Sequence, residues 1–192
     1  NSVYWLILTH MQKPEYDSIQ INKRDKQIKI IKKFFKFKKI FNLGYKPGSL
    51  DVVPKTKLVK EISNVIYSIK PQEIFIPHAN DVHSDHQILS KIISTCTKSF
   101  RFDFIRKIFS YETLSETNFI LKKKDRFTPN YYEDITKQLN KKLKALKVYK
   151  SEIKKFPFPR SLKAVEALAR LRGSEINTKA AEAFDLLKLI KK

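Results

Sequence analysis

Three short runs of β-forming residues, "VYWLIL" (3–8), "EIFIP" (73–77) and "KIFSYE" (107–112), are separated by longer segments of helical period. That alternation restricts the fold more than any other feature of the chain. Continuous apolar runs of this length mark strands covered on both faces. Between the first two, Ile30, Phe34, Phe37 and Phe41 recur at helical spacing and predict an amphipathic helix from about Lys23 to Phe41. The following "NLGYKPGSLDVVP" (42–54), with two of the three glycines and two prolines, predicts a loop. Residues 55–69 place Leu58, Ile62, Val65, Ile66 and Ile69 on one helical face, and another helix starts near Asp85. This order predicts an α/β domain with a mostly parallel sheet flanked by helices. Beyond Phe127 the pattern predicts a mainly helical C-terminal third, ending in "NTKAAEAFDLLKLIKK". No internal repeat or low-complexity linker divides the chain, and 192 residues suit one domain, 1–192, with one core.

A formal net charge of +21 raises nucleic acid or an anionic membrane surface as a partner. The basic residues are nearly all lysine, though, and they accompany many Ile, Phe, Tyr and Asn. The densest run, "KQIKIIKKFFKFKK" (26–39), reads as a buried stripe backed by a solvated lysine face. No specific nucleic-acid partner is therefore expected, and a basic nucleic-acid- or anionic-surface-binding protein is the alternative reading. The single cysteine, Cys96, lies in an apolar run and fits a buried thiol in a reducing compartment. Residues 1–12 lack the basic start and cleavage site of a signal peptide and are too few to span a bilayer, which points to a cytoplasmic location.

Three of the four histidines, His78, His83 and His86, fall inside nine residues with Asp81 and Asp85 among them. The segment is the exit loop of a predicted strand, where open α/β sheets bind their ligands. His83 and His86 are three apart, so in a first helical turn both imidazoles can point toward one site. Imidazole suits zinc, and a nearby carboxylate can ligate it or hold an imidazole N–H from behind. Two histidines and an aspartate within four residues do not by themselves close a zinc site. The same residues also fit a helix capped by Asp85 with its histidines at the surface. His10, at the end of the first strand, either faces the same cleft or faces nothing in particular. Tyr111 and Glu112, at the end of another strand, either line a substrate pocket or pack structurally.

The stretch "PHANDVHSDH" resembles a metal-site motif of the PIG-L/LmbE-like zinc-dependent de-N-acetylases, a strand followed by His-x-Asp-His. "LILT", the arginine of "NKRDKQ", "NLGYKPGSLDVVP", "SYET", "FTPNYYEDIT", "YKSEI", "PFPRS", "ALARLRG" and "AEAF" follow in the family's order. The resemblance implies a Rossmann-like sheet, one zinc ion and hydrolysis of an N-acetyl group from an N-acetylglucosamine-type amino sugar or glycoconjugate, in a bacterial cytoplasm and often in an oligomer. It implies that His86 is a zinc ligand, that His83 stabilises the oxyanion or protonates the leaving amine, and that Asp85 supports the site. It also implies that Arg24 contacts substrate, although Gln27 stands where the family often has an acid.

The family's His-Pro-Asp-Asp-Glu motif, which supplies two further zinc ligands and the general base, does not occur in these 192 residues. The resemblance therefore implies an N-terminally truncated domain, inactive as it stands, whose missing part is about one βα unit; a decayed, non-catalytic homologue is the other possibility. "RLRG" predicts a left-handed C′ glycine at Gly173, and "AEAF" predicts helical packing through Ala181, Ala183 and Phe184.

Overall fold

The computed structural model describes residues 2–191. The chain runs β1 (Tyr4–Thr9), α1 (Ser18–Phe35), β2 (Lys39–Tyr45), α2 (Lys55–Ile69), β3 (Glu73–Pro77), α3 (Ser84–Cys96), β4 (Lys107–Tyr111), β5 (Tyr131–Asp134), α4 (Leu139–Leu146), α5 (Leu162–Ser174) and β6 (Ala181–Leu189). The α/β class expected from the strand–helix alternation is the one observed.

Local chemistry sets the bounds of α1 and corrects the helix expected from Lys23 to Phe41. Asp17 and Gln20 form a capping box: Asp17 Oδ1 accepts from the Gln20 amide at 2.7 Å, and Gln20 Oε1 accepts from the Asp17 amide at 3.0 Å. At the other end Lys36 turns left-handed, with φ of 56°, and stops the helix before Phe37. The face that α1 buries runs through Gln27 and Ile31, while Ile30 is half exposed. Gln27 is tolerated there because its Nε2 donates to the Val148 carbonyl at 3.0 Å. Phe41 belongs to β2, which occupies residues expected to end a helix and begin a loop.

The strands form two sheets, β1–β2 and β3–β4–β6–β5. The β1–β2 and β3–β4 pairings are parallel; β6 runs antiparallel to both β4 and β5. One core nevertheless serves both sheets. Leu8 of β1, Ile76 of β3 and Ile108 of β4 join Leu58, Ile62 and Ile66 of α2 and Ile92, Ile93 and Cys96 of α3. Burial holds the Cys96 thiol above its ordinary pKa. In the last third, the helix expected over residues 177–192 is instead β6, and β5 precedes α4. Ala181 and Ala183 of β6 are buried while Glu182 between them is partly open, a period of two rather than of a helix. Gly173 lies inside α5 and is not left-handed. A Cβ there would stand 2.7 Å from the Ala180 Cα, so this glycine permits close backbone approach.

One contact fixes how the strands are directed. The Asp85 carboxylate, at the start of α3, accepts from the Gly48 amide at 2.7 Å and the Leu50 amide at 3.1 Å. It ties the loop leaving β2 to the loop leaving β3. Since β1 runs parallel to β2 and β4 to β3, the carboxyl ends of these four strands share one edge.

Candidate functional site

The histidine segment lies on that edge. β3 delivers the chain into a tight turn in which the Asp81 amide donates to the His78 carbonyl at 3.2 Å. Asp81 is fully buried, and its Oδ1 accepts from the His83 amide at 2.9 Å. The other oxygen, Oδ2, faces His86 Nδ1 at 3.0 Å, in ion-pair contact but off the line of an aligned hydrogen bond. A short-range Asx turn and a longer-range carboxylate–imidazole contact thus come from one side chain.

α3 is capped by His83, not by Asp85 as the sequence allowed: His83 Nδ1 accepts from the Asp85 amide at 3.2 Å. Asp85 is buried and spends its carboxylate on the two loop amides instead. Its place is that of an anchor for the β2 exit loop. The His83 and His86 rings stack with centroids 4.6 Å apart and planes 21° from parallel.

These contacts assign different roles to the two rings. With Nδ1 of His83 serving as acceptor, the proton sits on Nε2, which becomes a donor. Nδ1 of His86 faces the Asp81 carboxylate at 3.0 Å, which favours the proton on Nδ1 and would leave Nε2 presenting a lone pair. The pair offers one hydrogen-bond donor and one metal-type ligand side by side. A single imidazole backed by a buried carboxylate is the right chemistry for one corner of a zinc site. It is not a whole one: among the described residues no group of three or more His, Cys, Asp and Glu is arranged to hold a metal ion.

The remaining candidates stand outside the stacked pair, His78 and Tyr111 beside it and the others farther along the edge. His78 is buried, its Nε2 2.8 Å from the Asp125 carbonyl and its ring edge-on to Phe127, a packed core histidine. Arg24 pairs with Glu152 and lies over the Tyr149 ring, 5.2 Å from its centroid. With His10 it lines a cavity of about 490 Å³ at the end of β1. Tyr111 and Glu112 line a second cavity of about 490 Å³, which opens between Trp5 of β1 and the end of β4. Burial, and then the Asp81 charge, push the Tyr111 phenol up, so it stays a neutral donor. Glu112 is engaged by Arg172, whose Nε and Nη2 each donate at 2.9 Å. Asp81 is the organising residue of the site. The sequence signal for it was its position two before His83, an Asx-turn spacing that carries no direct hint of the second contact to His86.

The fold and site define an α/β protein with a paired-histidine strand exit. Residues 6–97, which contain that exit, match the model of the PIG-L family, described as GlcNAc-PI de-N-acetylase. Over this segment the chain is similar to the PIG-L family.

Solved structures share the fold over nearly the whole length. N,N'-diacetylchitobiose deacetylase from Pyrococcus horikoshii superimposes with a TM-score of 0.74 at 18% identity, covering 97% of this chain and 73% of that one. The conserved protein TT1542 from Thermus thermophilus gives 0.73 at 20% identity, covering 100% and 84%. GalB, the 4-carboxy-2-hydroxymuconate hydratase from a Pseudomonas, gives 0.72 at 11% identity, covering 100% and 86%. A deacetylase and a hydratase on one fold show that the fold alone does not select the reaction.

Proposed function

We propose that this protein is a zinc-dependent de-N-acetylase of an N-acetylglucosamine-type amino sugar or glycoconjugate, with His83, Asp85 and His86 in its active site. The observation that carries this reading is the stacked histidine pair with opposite free functions, set on the carboxyl edge of the sheet within a PIG-L segment. Hydrolysis breaks the amide C–N bond to leave acetate and a free amine. A donor is therefore needed first for the carbonyl oxygen as it gains charge, and a proton for the nitrogen as it leaves. His83 Nε2–H suits the first; with Nδ1 accepting from the Asp85 amide the ring is neutral, so the proton that reaches the nitrogen is the one the attacking water releases as its oxygen joins the acetyl carbon. Asp81 fixes the ring of His86, and Asp85 fixes the loop beside them. Bound zinc would lower the pKa of a coordinated water and polarise the amide carbonyl.

His86 Nε2 is the one donor this segment would contribute to that ion, and we propose that a further segment of the protein contributes the others. The break in the sheet supports a location for them. β1 and β3 each end a sheet, yet they share a core, and the second cavity lies beside both β1 and β4. We place one further parallel strand between β1 and β3, its carboxyl end beside His86.

The product of the complete reading frame, assayed for acetate release from N-acetylglucosamine derivatives with added zinc, tests the activity. His86→Ala is expected to lose zinc binding and turnover together. His83→Ala is expected to lower kcat about 10²-fold or more, as loss of an oxyanion donor does, with zinc retained. A zinc-loaded protein that releases no acetate from any such substrate refutes the proposal.

A further inference from the structure

We infer that the cavity at the end of β1 recognises an anionic substituent of the substrate, a phosphate or carboxylate, through Arg160 assisted by Arg24. This rests on the hydrolase reading above for the identity of the substrate, but the binding itself is a separate property of the cavity.

Two guanidinium groups flank the single carboxylate of Glu152. Arg24 is hydrogen-bonded to Glu152 Oε1 and held over the Tyr149 ring, so Glu152 is matched by Arg24 alone. Arg160 likewise lies over a ring, that of Phe158, 5.5 Å from its centroid, but it makes no hydrogen bond to Glu152. Its Nη2 stands 3.8 Å from Glu152 Oε2, beyond hydrogen-bond length, and its Nε is buried with no partner. The other nearby acid, Asp25, is occupied by His10, with Nε2 3.1 Å from Oδ1.

Among the groups that line the cavity of about 490 Å³, Arg24, Arg160 and Glu152 therefore leave one positive charge, with N–H donors of Arg160 unused. A guanidinium fork matches carboxylate and phosphate oxygens bidentately, and a neutral hydroxyl offers no such match. Thr9 and His10 put the cavity on the same sheet edge as the histidine pair. An anionic aglycone or phosphate could thus sit here while the acetamido group reaches the histidines.

Trp5 is the only tryptophan and lines this cavity, so its emission is a built-in reporter. The full chain is titrated with N-acetylglucosamine 1-phosphate, with inorganic phosphate and with N-acetylglucosamine at constant ionic strength, with calorimetry in parallel. The sugar phosphate is expected to bind at least tenfold tighter than the neutral sugar. Arg160→Ala is expected to remove that advantage and Arg160→Lys to restore only part of it, because charge returns without the fork. Saturable binding of inorganic phosphate alone, lost in Arg160→Ala, also supports the site.

Equal affinity for the neutral and phosphorylated sugar, or wild-type affinity in both Arg160→Ala and Arg160→Gln, overturns it. The two proposals fail separately. Anion binding without acetate release sinks only the hydrolase, and acetate release that ignores both the anionic group and Arg160 sinks only this inference.

Discussion

Tyr45 closes β2, and its hydroxyl donates to Glu61 Oε2 of α2 at 2.7 Å. Burial first, then the Glu61 hydrogen bond and charge, push its phenol from 10.0 up to about 12. The folded protein therefore holds this proton more tightly than the unfolded chain does. The stability it contributes is fully present below about pH 10 and is lost as pH rises through about 12. Tyr45→Phe is expected to flatten the fall in unfolding free energy between those values relative to the parent; denaturant titrations at a series of pH values check this, and parallel curves would refute it. Such a coupling could not be read from the sequence, because Glu61 is one of many acids and only the fold brings it to Tyr45. His83 and His86 were legible, since spacing alone places them on one helical turn. What set their two proton positions was not legible: it depends on Asp81 reaching His86 across the turn and on His83, rather than Asp85, capping α3.

Elements with an unambiguous period were readable, and those whose residues fit two periods were not. α2 buries Leu58, Ile62 and Ile66, as its spacing requires. β6 misleads because Ala, Glu, Leu and Lys favour helix; pairing with β4 on one side and β5 on the other overrides that preference. β2 is hidden because its Phe41 continues the apparent helical spacing of the lysine-rich run. The junction of α5 with β6 offers a direct test. Alanine in place of glycine inside a helix gains about 1 kcal/mol of intrinsic propensity. At Gly173 the added Cβ would meet Ala180 N and Cα and Thr178 O, each at 2.7 Å, and these are backbone atoms that cannot step aside. Overpacking of this kind costs about 1–3 kcal/mol or more. Gly173→Ala is expected to lower Tm despite the better helix former; an unchanged or raised Tm would mean that the α5–β6 approach is looser than described.

At the scale of the molecule, the break between β1 and β3 sets how the protein can work. Parallel strands are ordinarily buried with both edges paired, because each unpaired edge leaves a row of N–H and C=O groups without partners. Here two such edges flank one core, Phe75 of β3 is half exposed, and Trp5 of β1 lines both cavities. Filling the gap with one parallel strand would join six strands into a single sheet and bring new side chains to the edge where His86 waits. In residues 1–192 alone, alternate amides of β1 and β3, those turned away from β2 and β4, should exchange with deuterium far faster than the amides of β6, which is paired on both sides. On the proposed reading, a longer form of the protein that supplies this strand should protect the same β1 and β3 amides, and zinc affinity should appear along with that protection. Slow exchange at both edges in the 192-residue chain would mean that the sheet closes on itself, leaving no slot for the strand and no route for further ligands to reach His86.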